Sequence, residues 1–88
     1  MKIQGAVIEE QGITFAIVIV KKQVLDRRNQ AEGMIREFQP VFGGVPVVLM
    51  AQDHRGLPRY YGRKDIARYM ADVPVSAVPW REYTISGW

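Results

Sequence analysis

The apolar positions of the chain alternate between a period of two and a period of three to four, and the switches divide it into elements. "IQGAVI" at 3–8 and "ITFAIVIV" at 13–20 are β-prone runs separated by "EEQG". Gln11-Gly12 supplies tolerance of a positive φ between them, so the two runs predict a β-hairpin. The second run is apolar on both alternating faces: Ile13, Phe15, Ile17 and Ile19 on one, Ala16, Val18 and Val20 on the other. A strand of that kind is covered on both sides or crowded by its neighbours.

Lys21-Lys22 closes the run, and "QVLDRRNQ" follows as a polar connection whose two apolar residues tuck under the sheet. Ala31, Met34, Ile35 and Phe38 then recur at helical spacing, which predicts a helix over 30–39. Asn29 and Glu32 stand at the spacing of a capping box, with Asp26 as an earlier alternative cap. Pro40 and Gly43-Gly44 end this helix. "VPVVLMAQ" at 45–52 reads as another apolar strand with Pro46 at its start, "DHRG" as a turn, and "LPRYY" as a short edge strand marked by Pro58. "RKDIARYMADV" at 63–73 predicts a second helix with Ile66, Tyr69 or Met70, and Val73 inward. Pro74 and Pro79 frame an extended link to a last strand, "WREYTI" at 80–85. The fold class that follows is α+β, or small α/β. It is a single mixed sheet with two helices in the order β-β-α-β-β-α-β, within one domain of 88 residues. "EEQGIT" and "DHRGLP" share a turn-Gly-apolar order, too little to establish an internal repeat.

Composition adds exclusions. Without cysteine there is no disulfide, thiolate nucleophile or cysteine-ligated metal. The opening "MKIQGAVIEE" brings acids in before any apolar region develops, so no secretory signal is read. The run at 13–20 falls far short of the roughly 20 residues of a membrane span. These features lead us to expect a soluble cytoplasmic protein with no membrane partner. A net charge of +3 permits an anionic partner without requiring one.

Residues 44–73, "GVPVVLMAQDHRGLPRYYGRKDIARYMADV", resemble the C-terminal half of a thioredoxin-like domain. There a Val-Pro pair opens a strand, a hairpin follows, and a Gly precedes the closing helix. The resemblance implies a cis bond before Pro46. The missing Cys-X-X-Cys excludes that family's redox activity, and the N-terminal hairpin with one helix departs from its β-α-β-α start.

The basic residues fall into two groups. A βαβ crossover from the second strand to the third makes those strands parallel. Their carboxyl ends then lie together, at the side of open α/β sheets where ligands bind. Lys21, Lys22, Arg27, Arg28, His54 and Arg55 arrive there, with Asp26 and Asp53. Arg59, Tyr60, Tyr61, Arg63 and Lys64 are expected at the opposite end, beside the start of the second helix. Arg forks onto anions and Tyr stacks on bases, so this second group is the leading candidate for anion or nucleic-acid binding. Each group also has a plain structural reading: Lys21-Lys22 as a solvated strand stop, Arg27-Arg28 as a solvated loop, and one tyrosine packed inward.

His54, the one histidine, lacks an orienting acid and a nearby nucleophile, and Asp53 with His54 is too few ligands for a metal. Neither a catalytic set, a cofactor nor a metal is implied. The function expected is a small non-catalytic binding domain for an anionic ligand or nucleic acid. The alternative is a protein-interaction or structural module that self-associates through an edge strand or through "WREYTISGW", with Trp80 and Trp88 as anchors.

Overall fold

The computed structural model describes residues 1–85. Five strands form one sheet: β1 (Lys2–Glu10), β2 (Ile13–Ile19), β3 (Val47–Gln52), β4 (Pro58–Tyr61) and β5 (Arg81–Thr84). Their order across the sheet is β4-β3-β2-β1-β5. β2 and β3 are parallel, with Ala16 opposite Val47 and Ile19 opposite Met50. The pairs β1–β2, β1–β5 and β3–β4 are antiparallel. Three helices accompany the sheet: α1 (Lys22–Leu25), α2 (Arg28–Phe38) and α3 (Lys64–Ala71). The fold is therefore a single mixed sheet with two main helices, and the expected order of elements holds.

The double-sided apolarity of β2 has a direct cause. Ala16 and Val18 pack with Ala31 and Phe38 of α2, and Val47, Leu49 and Ala51 of β3 point to the same side. Phe15 and Ile17 pack with Ile66 and Met70 of α3, together with Val48 and Met50. One helix thus covers each face, and the central strands divide their side chains between two cores. Tyr69 stays 40% exposed while Met70 is fully buried, which decides the inner stripe of α3.

The first hairpin turns at Gln11 and Gly12, both with positive φ (53° and 79°). That geometry suits the twist of a two-residue hairpin loop, and only Gly adopts it without strain.

Several details differ from the sequence reading. The connection after β2 contains a helical turn, α1, because Val24 and Leu25 are buried in the α2-side core. That anchoring delivers the chain to α2 two residues earlier than expected. Arg27 becomes the N-cap and no side chain caps the helix. Asn29 and Glu32 therefore form no capping box; both lie inside the helix. β3 begins at Val47 rather than Val45, but Pro46 still serves the sheet, its carbonyl accepting from Ala16 N–H at 2.9 Å. α3 ends at Ala71, and β5 is shorter at both ends than expected. No cis peptide bond occurs among the described residues, so the bond before Pro46 is trans, unlike the thioredoxin-like pattern. None of the described helices is long and apolar enough to cross a membrane.

Candidate functional site

β4 is an edge strand, and its sequence shows how it is held there. Asp53 builds the turn that leads into it. Its carboxylate accepts from Arg55 N–H at 2.8 Å and Leu57 N–H at 2.9 Å. The Leu57 bond first, with Arg55 N–H adding to it, holds the Asp53 carboxyl below its ordinary value. Asp53 N–H also donates to the Leu57 carbonyl. That bond fixes the alternation of the β3–β4 ladder. Asp53–Leu57, Ala51–Arg59 and Leu49–Tyr61 occupy hydrogen-bonded positions, whereas Gln52–Pro58 and Met50–Tyr60 do not. Pro58 and Tyr60 consequently turn their main-chain groups outward, away from β3. The missing N–H of Pro58 falls where the ladder does not need it.

The side chains of β4 alternate as well. Tyr60 packs with the α3-side core, and Tyr61 with the α2-side core. The Tyr61 hydroxyl donates to Glu32 Oε1 on α2 at 3.1 Å. Arg59 sits 3.6 Å from Asp26, a pair more than half exposed on both sides. Gly62, at φ 152°, bends the chain from β4 into α3. A Cβ there would lie 3.0 Å from Val48 Cγ2 and 3.2 Å from the Val47 carbonyl oxygen, so only Gly fits.

These elements enclose a groove of about 840 Å³ between α2 and the end of β4. Tyr61, Ile35 and Pro46 form apolar parts of its wall. Its charged lining is Arg28 and Glu32 from α2, and Arg63 and Lys64 from the start of α3. Glu32 is the one carboxylate in this set, and the Tyr61 hydroxyl engages it. Arg63 Nε pairs with Asp65 at 2.9 Å, but one carboxylate cannot satisfy the five donors of a guanidinium. The groove has a positive balance, a partly apolar floor, and guanidinium and ammonium donors; the one phenol donor is taken by Glu32. Its guanidinium and ammonium groups can hold an anion.

The expected basic groups are redistributed. Of the leading five, Tyr61, Arg63 and Lys64 line the groove. Arg59 instead faces Asp26 in the loop before α2. Tyr60 turns to the other face, where its hydroxyl is buried with no hydrogen-bond partner among the described residues, and burial pushes its pKa up. Of the second group, Arg28 joins Arg63 and Lys64. The groove runs along α2, from Arg28 at the start of that helix to Gln39 beyond its end, so its lining takes one residue from the second group and three from the first. Arg27 lies with Arg28, Asn29 and Gln30 on the surface around the start of α2. Lys22 is close enough to Asp53 for its charge to be felt there, and Lys21 borders a more apolar groove beside Met34 and Phe38. His54 and Arg55 are exposed in the turn.

The sequence reading missed Glu32 as a site residue. Its spacing from Asn29 read as a capping box, and no local signal tied it to Tyr61. Trp80, considered as an anchor, is half-buried against the α3-side core and donates its indole N–H to the Val75 carbonyl at 3.0 Å. Trp88 lies outside the described residues. No group of three or more His, Asp or Glu side chains that could hold a metal occurs among the described residues. Comparison with family models, with curated proteins and with solved structures finds no match.

Proposed function

We propose that the chain is a non-catalytic binding domain whose α2–β4 groove takes an anionic ligand. One observation carries this reading. Arg28, Arg63 and Lys64 line a single groove whose one carboxylate, Glu32, is engaged by Tyr61. The three cations come from two elements far apart in sequence and belong to neither core. A bound anion would offset their mutual repulsion. Nucleic acid is a candidate ligand because its phosphates offer repeated contacts.

The test is titration with single-stranded and duplex oligonucleotides and with inorganic pyrophosphate, followed by the amide resonances of Arg28, Tyr61, Arg63 and Lys64. Binding is expected at about 50 mM salt and should weaken steeply toward about 200 mM. Arg28→Ala and Lys64→Ala should each reduce both the affinity and the salt dependence. If no anionic probe, an acidic peptide included, moves the groove resonances at the lower salt, the reading is wrong.

A second reading rests on its own observation: among the described residues, β4 and β5 are both unpaired edges of the sheet. Under it the module pairs through a strand with a second copy of itself. Charge in and beside β4 opposes this version, because antiparallel self-pairing would set Arg59 against its own copy and Arg55 against Arg63 of the other copy.

A further inference from the structure

The outward main-chain groups of β4 and the basic groove beside it form one continuous surface. From this juxtaposition we infer that the ligand is an extended acidic segment of another protein, which adds to the sheet as a sixth strand along β4. The inference rests on the anion-binding reading above and gives it a partner.

The hydrogen-bonding part is fixed by register. Pro58 and Tyr60 hold the positions of β4 that do not pair with β3. The Pro58 carbonyl and the Tyr60 N–H and carbonyl therefore face the open side. Pro58 offers no donor, so the available donor on this stretch is Tyr60. An added strand satisfies these groups whatever its sequence, which gives affinity. Its alternate side chains give selectivity.

The selectivity follows from which face each guest side chain meets. Guest positions opposite Arg59 and Tyr61 point to the α2 side, where Arg28, Arg63 and Lys64 line the groove. The position between them points to the α3 side, where Tyr60 packs among apolar residues. The segment that fits has acids at alternate positions with an apolar residue between. Charge also argues against the other occupants. A second copy of this chain brings a like-charged strand, and an oligonucleotide leaves the Tyr60 N–H and carbonyl without a strand partner.

The probe is the capped peptide Ser-Glu-Val-Glu-Val-Glu-Ser, titrated into the full chain under amide hydrogen exchange. In the free protein, Tyr60 N–H should exchange faster than Arg59 and Tyr61 N–H, which bond to β3. The peptide is expected to slow Tyr60 exchange and to move the Arg28, Arg63 and Lys64 resonances. Its Gln-for-Glu counterpart should fail to bind. A counterpart N-methylated on the amides of one alternating set should lose about fivefold or more in affinity. Arg28→Ala and Lys64→Ala should each weaken the peptide about two- to fivefold without altering Tyr60 exchange in the free protein.

If the N-methylated peptides bind as well as the parent and Tyr60 exchange does not change, the added strand is overturned while the anion groove stands. If an oligonucleotide binds the groove and displaces the peptide, leaving Tyr60 exchange fast, the partner is nucleic acid and this inference fails. If neither peptide, oligonucleotide nor pyrophosphate moves the groove resonances, the groove reading itself fails, and the strand with it.

Discussion

Two consecutive tyrosines show how much a single position along a strand decides. Tyr60 and Tyr61 differ by one step, so they face opposite cores. The Tyr61 hydroxyl has Glu32; the Tyr60 hydroxyl is buried without a partner among the described residues. Removing an unsatisfied buried hydroxyl recovers its desolvation cost, so Tyr60→Phe should stabilise the fold by about 1 kcal/mol at neutral pH. The same burial raises the Tyr60 pKa above its ordinary 10.0. Between the unfolded and folded values only the folded state keeps the proton, so stability falls as pH rises through that window. Tyr60→Phe should therefore gain more over the parent above about pH 10 than at neutrality. Urea midpoints of the two proteins at both pH values check this, and an equal difference at each pH would contradict it. Tyr61→Phe behaves otherwise. It should cost about 0.5–1.5 kcal/mol through the lost hydroxyl bond and release Glu32 to oppose an anion. Its binding of pyrophosphate or an acidic peptide should weaken, while Tyr60→Phe leaves binding unchanged. Gly62→Ala should cost about 1–3 kcal/mol from its φ alone, before the close approach to Val48 is counted.

At the level of elements, the β3–β4 hairpin depends on one carboxylate. Asp53 receives two backbone N–H groups of its own turn, and those bonds hold its pKa down. A lowered carboxyl pKa means that the stabilising contribution is present above the unfolded value and disappears as pH falls through the folded one. Asp53→Ala should destabilise the hairpin at neutral pH and make its stability flatter across the acid range. Exchange rates of the Leu57 and Arg59 amides at pH 7 and near pH 3.5 provide the check, and an unchanged acid dependence would count against it. The existence and order of such elements were legible in the sequence because local chemistry specifies them: a turn-forming Gln-Gly, a strand-opening Pro, helical spacing from Ala31 to Phe38. The grouping of the site was not legible. It depends on α2 lying beside β4, which puts Arg28 and Lys64 on the lining of one groove although more than thirty positions of chain separate them. Neither residue carries a local signal of the other. The capping box failed for a related reason. Asn29 and Glu32 had the spacing, but burial of Val24 and Leu25 upstream set where α2 begins, and a tertiary partner, Tyr61, took the carboxylate.

For the molecule as a whole, the arrangement sets a single sheet between two cores, with no polar residue buried in either among the described residues. Leu49 and Met50 are neighbours on β3, yet Leu49 belongs to the α2 side and Met50 to the α3 side. Both are almost fully buried. Truncating either to Ala should cost about 2–5 kcal/mol. That is a large part of the roughly 4–13 kcal/mol expected for a chain of this length. The two losses should have the same global consequence. The strands are shared, so a cavity on one side weakens the ladder that the other side rests on. Leu49→Ala and Met50→Ala should each lower the protection of β2 amides, including Ile17 on the far side of Leu49, by the same factor that lowers protection of Val18. Exchange of these amides, with denaturant midpoints from circular dichroism, measures it. If Leu49→Ala loosened α2 and left the amides of α3 at parental protection, the two layers would be separate cooperative units. The groove would then open without disturbing the α3 side. With one unit, the groove is as rigid as the sheet that floors it. A segment added at β4 would then stabilise the whole cooperative unit, by RT ln(1 + L/Kd) for a free segment concentration L.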